Sequence, residues 1–398
     1  MNKSDAAALT IIANPGSASR KYAVYKGTHC IARVHFERDH GAIICTVSQG
    51  DEQRQVAVSL YDLEVAASQL INVLQSEDIL TSEEQIHAIG LRIVAPSEQF
   101  LRSCFVMDDA MATQLEALER RAPLHISATL NELRILREQF PAAEIYGISD
   151  SAFHATKLEV AWNYGIPLRD ADQFDVKRFG YHGISASAVT HALHSAEKLP
   201  PKVVICHLGS GSSVTAVHHG KSIDTTMGYS PLDGVVMETR SGAIDPTAVR
   251  VLQEIMGLDD GEMQNYLNKH SGLLGLSGRS SDVRELLQYE SEGDHHASLA
   301  LQTYVYSIQK AIGQMGAALG GIDLLAFTGT VGERSAAIRE RIVHNLHYLD
   351  FFIDGHTNNR ALGPNELTCV SKLAHSRPIF VVPLDESAEM LRQLRAHS

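Results

Sequence analysis

Ile11–Gly27 reads IIANPGSASRKYAVYKG, and Val204–Gly220 reads VICHLGSGSSVTAVHHG. Each runs from an apolar strand into Gly-Ser, through small polar residues, and out along an alternating strand to a glycine turn. Gly16 and Gly27 lie 11 positions apart, as do Gly209 and Gly220 (27 − 16 and 220 − 209). Taken alone, the first stretch is an ordinary hairpin. It is not a Walker loop: Gly16 has no second glycine beside it ahead of Lys21, Lys21 is followed by Tyr22, and KYAVY carries no helix-start signal. Two matched hairpins, each opening a half in which strands and helices alternate, predict a duplicated α/β fold. Two such loops facing each other across a cleft would hold a polyphosphate through backbone N–H groups from both sides.

The remaining pattern supports that division. After the first hairpin, strand-like segments continue through GAIICTVSQGDEQRQVAVSL. Then DLEVAASQLINVLQ reads as a helix, QIHAIGLRIVA as a strand, DDAMATQLEALERR and SATLNELRILREQF as helices, and AEIYGISD as a strand. The second half restarts at KVVICHLG, with a long helix from His296 to Gly316 and a buried strand DLLAFTG. TVGERSAAIRERIVHNL then reads as one helix, RPIFVVP as the last strand and ESAEMLRQLRAH as a closing helix.

A chain of 398 residues accommodates two domains of ordinary size, each with its own core. Its net charge of −13 argues against nucleic acid or an anionic membrane as a main partner, though not against a nucleotide bound by local cations. The five cysteines are odd in number and widely spaced, with no C-x-x-C, so neither a disulfide framework nor a zinc site is expected. No apolar stretch is long enough to span a bilayer, and MNKSDAAALTII lacks the apolar segment of a leader. The expectation is a cytoplasmic protein.

Several positions admit two readings. Asn14 either contacts a metal ion or its water, or closes the hairpin as an Asx turn. Lys21 either touches phosphate or is a solvated edge-strand lysine, and the second is preferred. Arg92, inside the apolar run AIGLRIVA, needs a partner, either a substrate anion or an internal acid. Leu124 and His125 stand just before a helix, where His125 is an anion donor or a plain loop histidine. Asp150, with His154 nearby, follows a strand and is a site carboxylate or a helix N-cap. His182 stands between Tyr181 and Gly183 before another helix, aimed at a cleft or simply part of a tight turn. DTTMGYSPLDGVVMETRSGAIDP is long, aperiodic and rich in Gly, Pro, Thr and Asp, as functional loops are. Its Arg240 carries the fork suited to carboxylate or phosphate. GLLGLSGRSSDVREL and FTGTVGERSAAIRE each join an apolar segment to Gly/Ser and a helix, a weak nucleotide signal when taken singly. The pairs His218-His219 and His295-His296 lack metal-ligand companions and read as solvated.

Together, NPGSASRK, APLH, SDSAFHAT, RFGYHGIS, HLGSGSSV, the Arg240 stretch, SGLLGLSGRSSDVREL and FTGTVGERSA resemble the acetate kinase family from about Ile11 to Glu386. Through it the chain resembles the superfamily of sugar kinases, heat-shock ATPases and actin. The resemblance implies two duplicated ribonuclease-H-like α/β domains with an interdomain ATP cleft. It places the N-terminal domain at 1–151 plus 384–398 and the nucleotide-binding and dimerisation domain at 152–383. It implies ATP + acetate ⇌ ADP + acetyl phosphate with Mg²⁺ or Mn²⁺, by a homodimer that uses neither nucleic acid nor membrane. By this resemblance Asn14 and Glu386 serve the metal, with Asp150 there or in orientation. Arg92 and Arg240 clamp the acid and the transferring group, and His182, with His125, stabilises the transition state. Val94, Leu124, Tyr181 and Pro231 border the acyl group. Lys21, His207, Gly209, Ser210, Gly211, Asp282, Val283, Arg284, Gly329, Thr330, Val331 and Gly332 match the nucleotide side. Phosphoryl transfer to a carboxylate needs alignment and charge neutralisation but no general base, because carboxyl groups ionise near pH ~4 to 5.

The chain departs from the family where Leu91 replaces His, Ala95-Pro96-Ser97 replaces His-Gly-Gly, and Ile126, Ser210, Arg334 and Asp385 replace Asn. Ala243 replaces Asp, and Tyr181 replaces a common Phe. These leave the acyl choice among acetate, propionate and butyrate, and the phosphoryl donor, open. A non-catalytic nucleotide-binding homologue is the alternative from a different class.

Overall fold

The computed structural model describes residues 8–397 except 17–18, 40–41, 61, 82, 122 and 373, and excludes the side chains of 39 and 123–125. The chain divides into two compact units, Met1–Ala152 with Asp385–Ser398, and Phe153–Leu384.

The first unit holds strands β1 (Leu9–Pro15), β2 (Ser19–Lys26), β3 (His29–Asp39), β4 (Ala42–Gln49), β5 (Glu52–Val56), β6 (Ile86–Ile93), β7 (Cys104–Val106) and β8 (Glu144–Ser149). They form one sheet in the order β5-β4-β3-β2-β1-β6-β8-β7. The second unit holds β9 (Lys202–Leu208), β10 (Ser212–His218), β11 (Lys221–Thr225), β12 (Leu324–Thr328), β13 (Thr368–Cys369) and β14 (Ile379–Val381), in the order β11-β10-β9-β12-β14-β13.

The duplication is explicit in these orders. In each sheet three strands meander antiparallel, two more follow on the other side of the first and run parallel to it, and a short antiparallel strand covers the edge. The mixed α/β architecture is thus one pattern used twice, with β4 and β5 extending the first copy. The two turns differ in detail. Pro15 pairs with Arg20, whereas Leu208 pairs with Ser212, so the second turn is one residue shorter.

Local sequence explains the elements. Strands β9 and β12 are apolar on both faces because helices cover both. Val204, Cys206 and Leu208 pack in the core under the long helix His295–Leu319, while Val203 and Ile205 face the core under helix Gly183–Ser195. In the first sheet, Gly90 of β6 lies where a Cβ would stand 2.8 Å from Ile12 and 3.3 Å from Leu394. Its missing side chain lets the C-terminal helix Glu386–His397 lie close on β1 and β6.

Some expectations need correction. Leu124 and His125 do not precede their helix: it runs Pro123–Gln139 and they stand in its first turn, their side chains outside the described residues. A proline already fixed near helical φ suits that first position. TVGERSAAIRERIVHNL is two helices, Gly329–Arg334 and Ala336–His344, because Ser335 leaves the helical conformation and its side chain caps the second. Lys21 is exposed as read, but β2 lies between β1 and β3 and is not an edge strand. The short edge strands β7 and β13 carry too few residues for a period-2 signal and were not foreseen.

Candidate active site

In the first unit the parallel strands bring a polar row to their C-terminal ends, the usual position for a site in an open α/β sheet. Asn14 is near the end of β1, Arg92 near the end of β6, and Asp150 follows β8. Glu386 opens the C-terminal helix. Asn14 Nδ2 donates to Glu386 Oε2 at 2.6 Å, Arg92 Nη1 donates to Asn14 Oδ1 at 3.2 Å, and Arg92 Nη2 donates to Asp150 Oδ2 at 2.8 Å. The Asx-turn reading of Asn14 therefore fails, because Asn14 is a strand residue paired with Lys21. The partner that Arg92 needed is Asp150, whose side chain is 1% exposed. Burial works against the Arg92 charge, but the Asp150 and Glu386 carboxylates outweigh it and hold the guanidinium protonated more firmly than usual. The Arg92 Nε is buried and makes no hydrogen bond among the described residues. Val94, two residues on, is half-buried.

In the second unit the glycine loop between β9 and β10 meets the start of helix Gly183–Ser195. His182, the residue before that helix, adopts φ 58°, a left-handed conformation that a non-glycine residue rarely takes. Its Nδ1 lies 3.0 Å from Ser213 Oγ, and its ring centroid is 4.2 Å from that of His207. Ser213 and His207 face each other across the β9–β10 pair, so the hairpin register places both beside His182. Gly211 completes the cluster. A Cβ there would stand 3.1 Å from the His182 ring and 3.2 Å from Arg240 Nη1. Arg240 Nη1 also reaches the Pro231 carbonyl at 3.4 Å and Met237 Sδ at 3.7 Å. The long aperiodic loop thus folds back on its own arginine. Pro231 is buried, and the hydroxyl of buried Tyr181 donates to the Tyr229 carbonyl at 2.7 Å, which supplies the partner that hydroxyl requires.

At the same end of the sheet, Gly329 has φ +79°, and a Cβ would clash with the Leu208 carbonyl at 2.6 Å. It turns the chain into helix Gly329–Arg334, and its N–H donates to Glu333 Oε1 at 3.0 Å. Val331 and Gly332 are buried in this helix, while Thr330 is exposed. A Cβ on Gly209 would lie 3.8 Å from both Thr330 N and His207 Nε2, so the two glycine segments are neighbours. Ser210 and Arg334 are exposed. Asp282 caps helix Val283–Ser291 by accepting from Arg284 N at 2.7 Å, and Arg284 Nη2 returns to it at 2.5 Å. Val283 is buried at the start of that helix.

Sequence reasoning missed several contributors. Ser213, Tyr229 and Ser222 are small polar or aromatic residues without a local signature. Ser222 Oγ lies 2.8 Å from Nδ1 of buried His154, whose Nε2 reaches the Tyr181 carbonyl at 3.0 Å and so braces the residue before His182. Arg339 is fully buried and donates to the carbonyls of Gly332, Glu333, Asn358 and Ala361, fixing the end of the Gly329–Arg334 helix. Burial alone pulls its pKa down to about 10. Glu238, two residues before Arg240, is pushed up to about 7 by burial and then by Asp282, against the pull of Arg240 and Arg284.

The comparisons with known proteins agree with one another. The acetokinase family model matches residues 9–392. The acetate kinase of Bacillus cytotoxicus is 36% identical, covering 96% of this chain and 97% of the relative. That of Natranaerobius thermophilus is 34% identical, covering 97% and 98%. Among solved structures, Porphyromonas gingivalis acetate kinase aligns with TM-score 0.84 at 29% identity, covering 98% of this chain and 99% of that one. A Francisella tularensis propionate kinase aligns with TM-score 0.87 at 29% identity, covering 97% and 98%. Two copies of one strand order, the polar groups gathered in each, and these full-length similarities place this chain in the acetokinase family.

Proposed function

We propose that the chain is an acetate kinase, moving a phosphoryl group reversibly between ATP and acetate to give ADP and acetyl phosphate. The observation that carries this reading is the convergence of His182 and Arg240 on Gly211, where only the absence of a side chain leaves room. An arginine and an imidazole at such a spot suit a trigonal phosphoryl group, whose transfer depends on charge neutralisation. The glycine segments at Gly209–Gly211 and Gly329–Gly332 suit the nucleotide, with Lys21, Asp282, Val283 and Arg284 as further contacts. Arg92 suits the acid's carboxylate, because its side chain stays 15% exposed while Asp150 and Asn14 hold it in place. Val94, Leu124, Tyr181 and Pro231 suit the methyl group, and His125 assists the transfer.

The donor set near Asn14 fits Mg²⁺. It offers hard oxygen atoms from Asn14, Asp150 and Glu386. Among the described residues no group of three His, Cys, Asp or Glu side chains could hold a metal by itself. Magnesium is commonly held in that way, through one or two carboxylates with phosphate oxygens and water completing the shell. When bound, the ion would neutralise charge on the nucleotide phosphates. Asp150 is assigned to metal or orientation, not to proton removal.

A homodimer is proposed as well. Helix Pro246–Met256 has no buried residue, and its Ile255 is 78% exposed, an apolar surface suited to a second copy. A cytoplasmic location is proposed from the sequence pattern of five widely spaced cysteines without a C-x-x-C.

The deciding experiment traps acyl phosphate with hydroxylamine, using Mg²⁺-ATP and a panel of formate, acetate, propionate and butyrate. Strongest signal with acetate is expected. Propionate as the best acid would move the reading to a propionate kinase, because one methylene in an apolar pocket discriminates by only about 1–3 kcal/mol. Silence across the panel with retained Mg²⁺-ATP binding would point to a non-catalytic homologue.

A further inference from the structure

We propose that Tyr164 is a positioning residue for Arg240: its hydroxyl fixes both flanks of Pro231, whose carbonyl receives the Arg240 guanidinium. This rests on the kinase reading above. Tyr164 follows the short helix Glu159–Trp162, 65 positions before Tyr229. The Tyr229 N–H donates to Tyr164 Oη at 2.8 Å. The hydroxyl keeps its own proton to give, and it hydrogen-bonds the Asp233 carboxylate. Tyr229 and Asp233 stand two residues before Pro231 and two after it. One oxygen therefore staples the chain on both sides of the proline. The packing there is closed, since a Cβ on Gly228 would overlap both Tyr164 Oη and Asp233 Oδ2.

The neighbours hold the same points. Tyr181 Oη donates to the Tyr229 carbonyl at 2.7 Å, so tyrosine hydroxyls fix Tyr229 at both its N–H and its C=O. Arg178 Nη1 stands 3.3 Å from Asp233 Oδ2, and its guanidinium lies 5.1 Å from the centre of the Tyr164 ring. Within the stapled stretch, the Leu232 N–H donates to Ser230 Oγ at 3.2 Å. That N–H shares one planar peptide with the Pro231 carbonyl, so holding it sets the direction of the carbonyl. The pyrrolidine ring fixes φ of Pro231 as well. The carbonyl accepts from Arg240 Nη1 at 3.4 Å, and the same nitrogen lies 3.2 Å from where a Cβ on Gly211 would stand. The loop between β11 and helix Pro246–Met256 has no helix or strand of its own to order an arginine. Tyr164 supplies that order from outside the loop, and a guanidinium already in place loses less freedom when it meets its ligand.

The test compares the full chain with Y164F, R240A and Y164F/R240A. Y164F keeps the ring beside Arg178 and removes only the hydroxyl. Three quantities are measured: the unfolding midpoint, kcat and KM with acetate in the hydroxylamine assay, and the rate at which phenylglyoxal labels Arg240, mapped by mass spectrometry. Y164F is expected to unfold within about 4 °C of the wild type, since it gives up only local hydrogen bonds in a large unit. Its kcat should fall about tenfold, the scale of one lost hydrogen bond, with KM for Mg²⁺-ATP within about twofold. In the R240A background the same change should alter kcat by less than about twofold, because a residue that acts through Arg240 has nothing left to position. Labelling of Arg240 should run about tenfold faster in Y164F than in the wild type. Wild-type kcat in Y164F overturns the proposal, as does a tenfold loss repeated in the R240A background. If the wild type phosphorylates no acid, the kinase reading fails by itself and labelling decides the role of Tyr164. Faster labelling then upholds its hold on Arg240, and an unchanged rate overturns the proposal with or without turnover.

Discussion

Asn14 and Glu386 stand 372 positions apart and meet at 2.6 Å, with Asn14 Nδ2 donating to Glu386 Oε2. The first strand and the last helix of the chain therefore supply one polar group between them. If that group serves a divalent ion, Glu386→Ala should raise the Mg²⁺ concentration for half-maximal turnover at least about tenfold, consistent with loss of a hard-oxygen ligand. A Mg²⁺ titration at saturating ATP measures this, and an unchanged midpoint would remove Glu386 from the metal site.

The close approach at Gly211 makes a second prediction. Gly211→Ala places a methyl 3.1 Å from the His182 ring and 3.2 Å from Arg240 Nη1. Both groups must shift, so turnover should fall while the unfolding midpoint stays close to the wild type. Arg240→Ala should lower kcat by about 10²–10³, the usual effect of removing one preorganised charge-stabilising donor. If Arg240→Ala retains most of its turnover, Arg240 does not act on the transferring group.

Glu238 gives the donor side a pH dependence. Its carboxyl titrates at about 7, raised first by burial and then by Asp282, with Arg240 and Arg284 pulling the other way. Above pH 7 it becomes an anion beside groups assigned to an anionic donor. KM for Mg²⁺-ATP should rise from pH 6 to pH 8, and Glu238→Gln should flatten that rise. The same slope in the variant would assign the dependence to another group.

His154 links stability to pH. Its pKa falls to about 3 because burial disfavours the imidazolium and Lys157 repels it, outweighing the hydrogen bond to the Tyr181 carbonyl. The folded value lies below the unfolded value of about 6.5, so the unfolded chain binds the extra proton across that interval. The stability from burying neutral His154 is complete above about pH 6.5 and declines as pH falls toward 3, by up to about 1.4 kcal/mol per pH unit. Urea unfolding at pH 7 and pH 5 should show His154→Gln losing less stability on acidification than the wild type. A neutral imidazole that donates from Nε2 to the Tyr181 carbonyl must accept from Ser222 at Nδ1. Removing either bond would loosen the backbone before His182.

The sequence by itself determined the duplication and the elements that carry it. Alternation of apolar residues and a glycine turn act within a dozen residues, so the hairpins at Gly16 and Gly209, and a helix at the end of GLLGLSGRSSDVREL, were legible from local chemistry. The resemblance of the motifs added the family, and the matches from residue 9 to 392 agree with it. Only the tertiary structure decided the pairings. Arg92 was open between a substrate anion and an internal acid until strand order set β6 beside β8 and brought Asp150 within 2.8 Å. Glu132 gave no sign of its pairing, because its partners Arg20 and Tyr22 lie more than a hundred positions away and reach it only when the helix Pro123–Gln139 packs on the sheet. The left-handed turn at His182 is likewise imposed by its surroundings, since no isolated histidine prefers φ 58°. Such contacts are long in sequence and short in space, and a buried charge takes its partner from whichever strand the fold lays beside it.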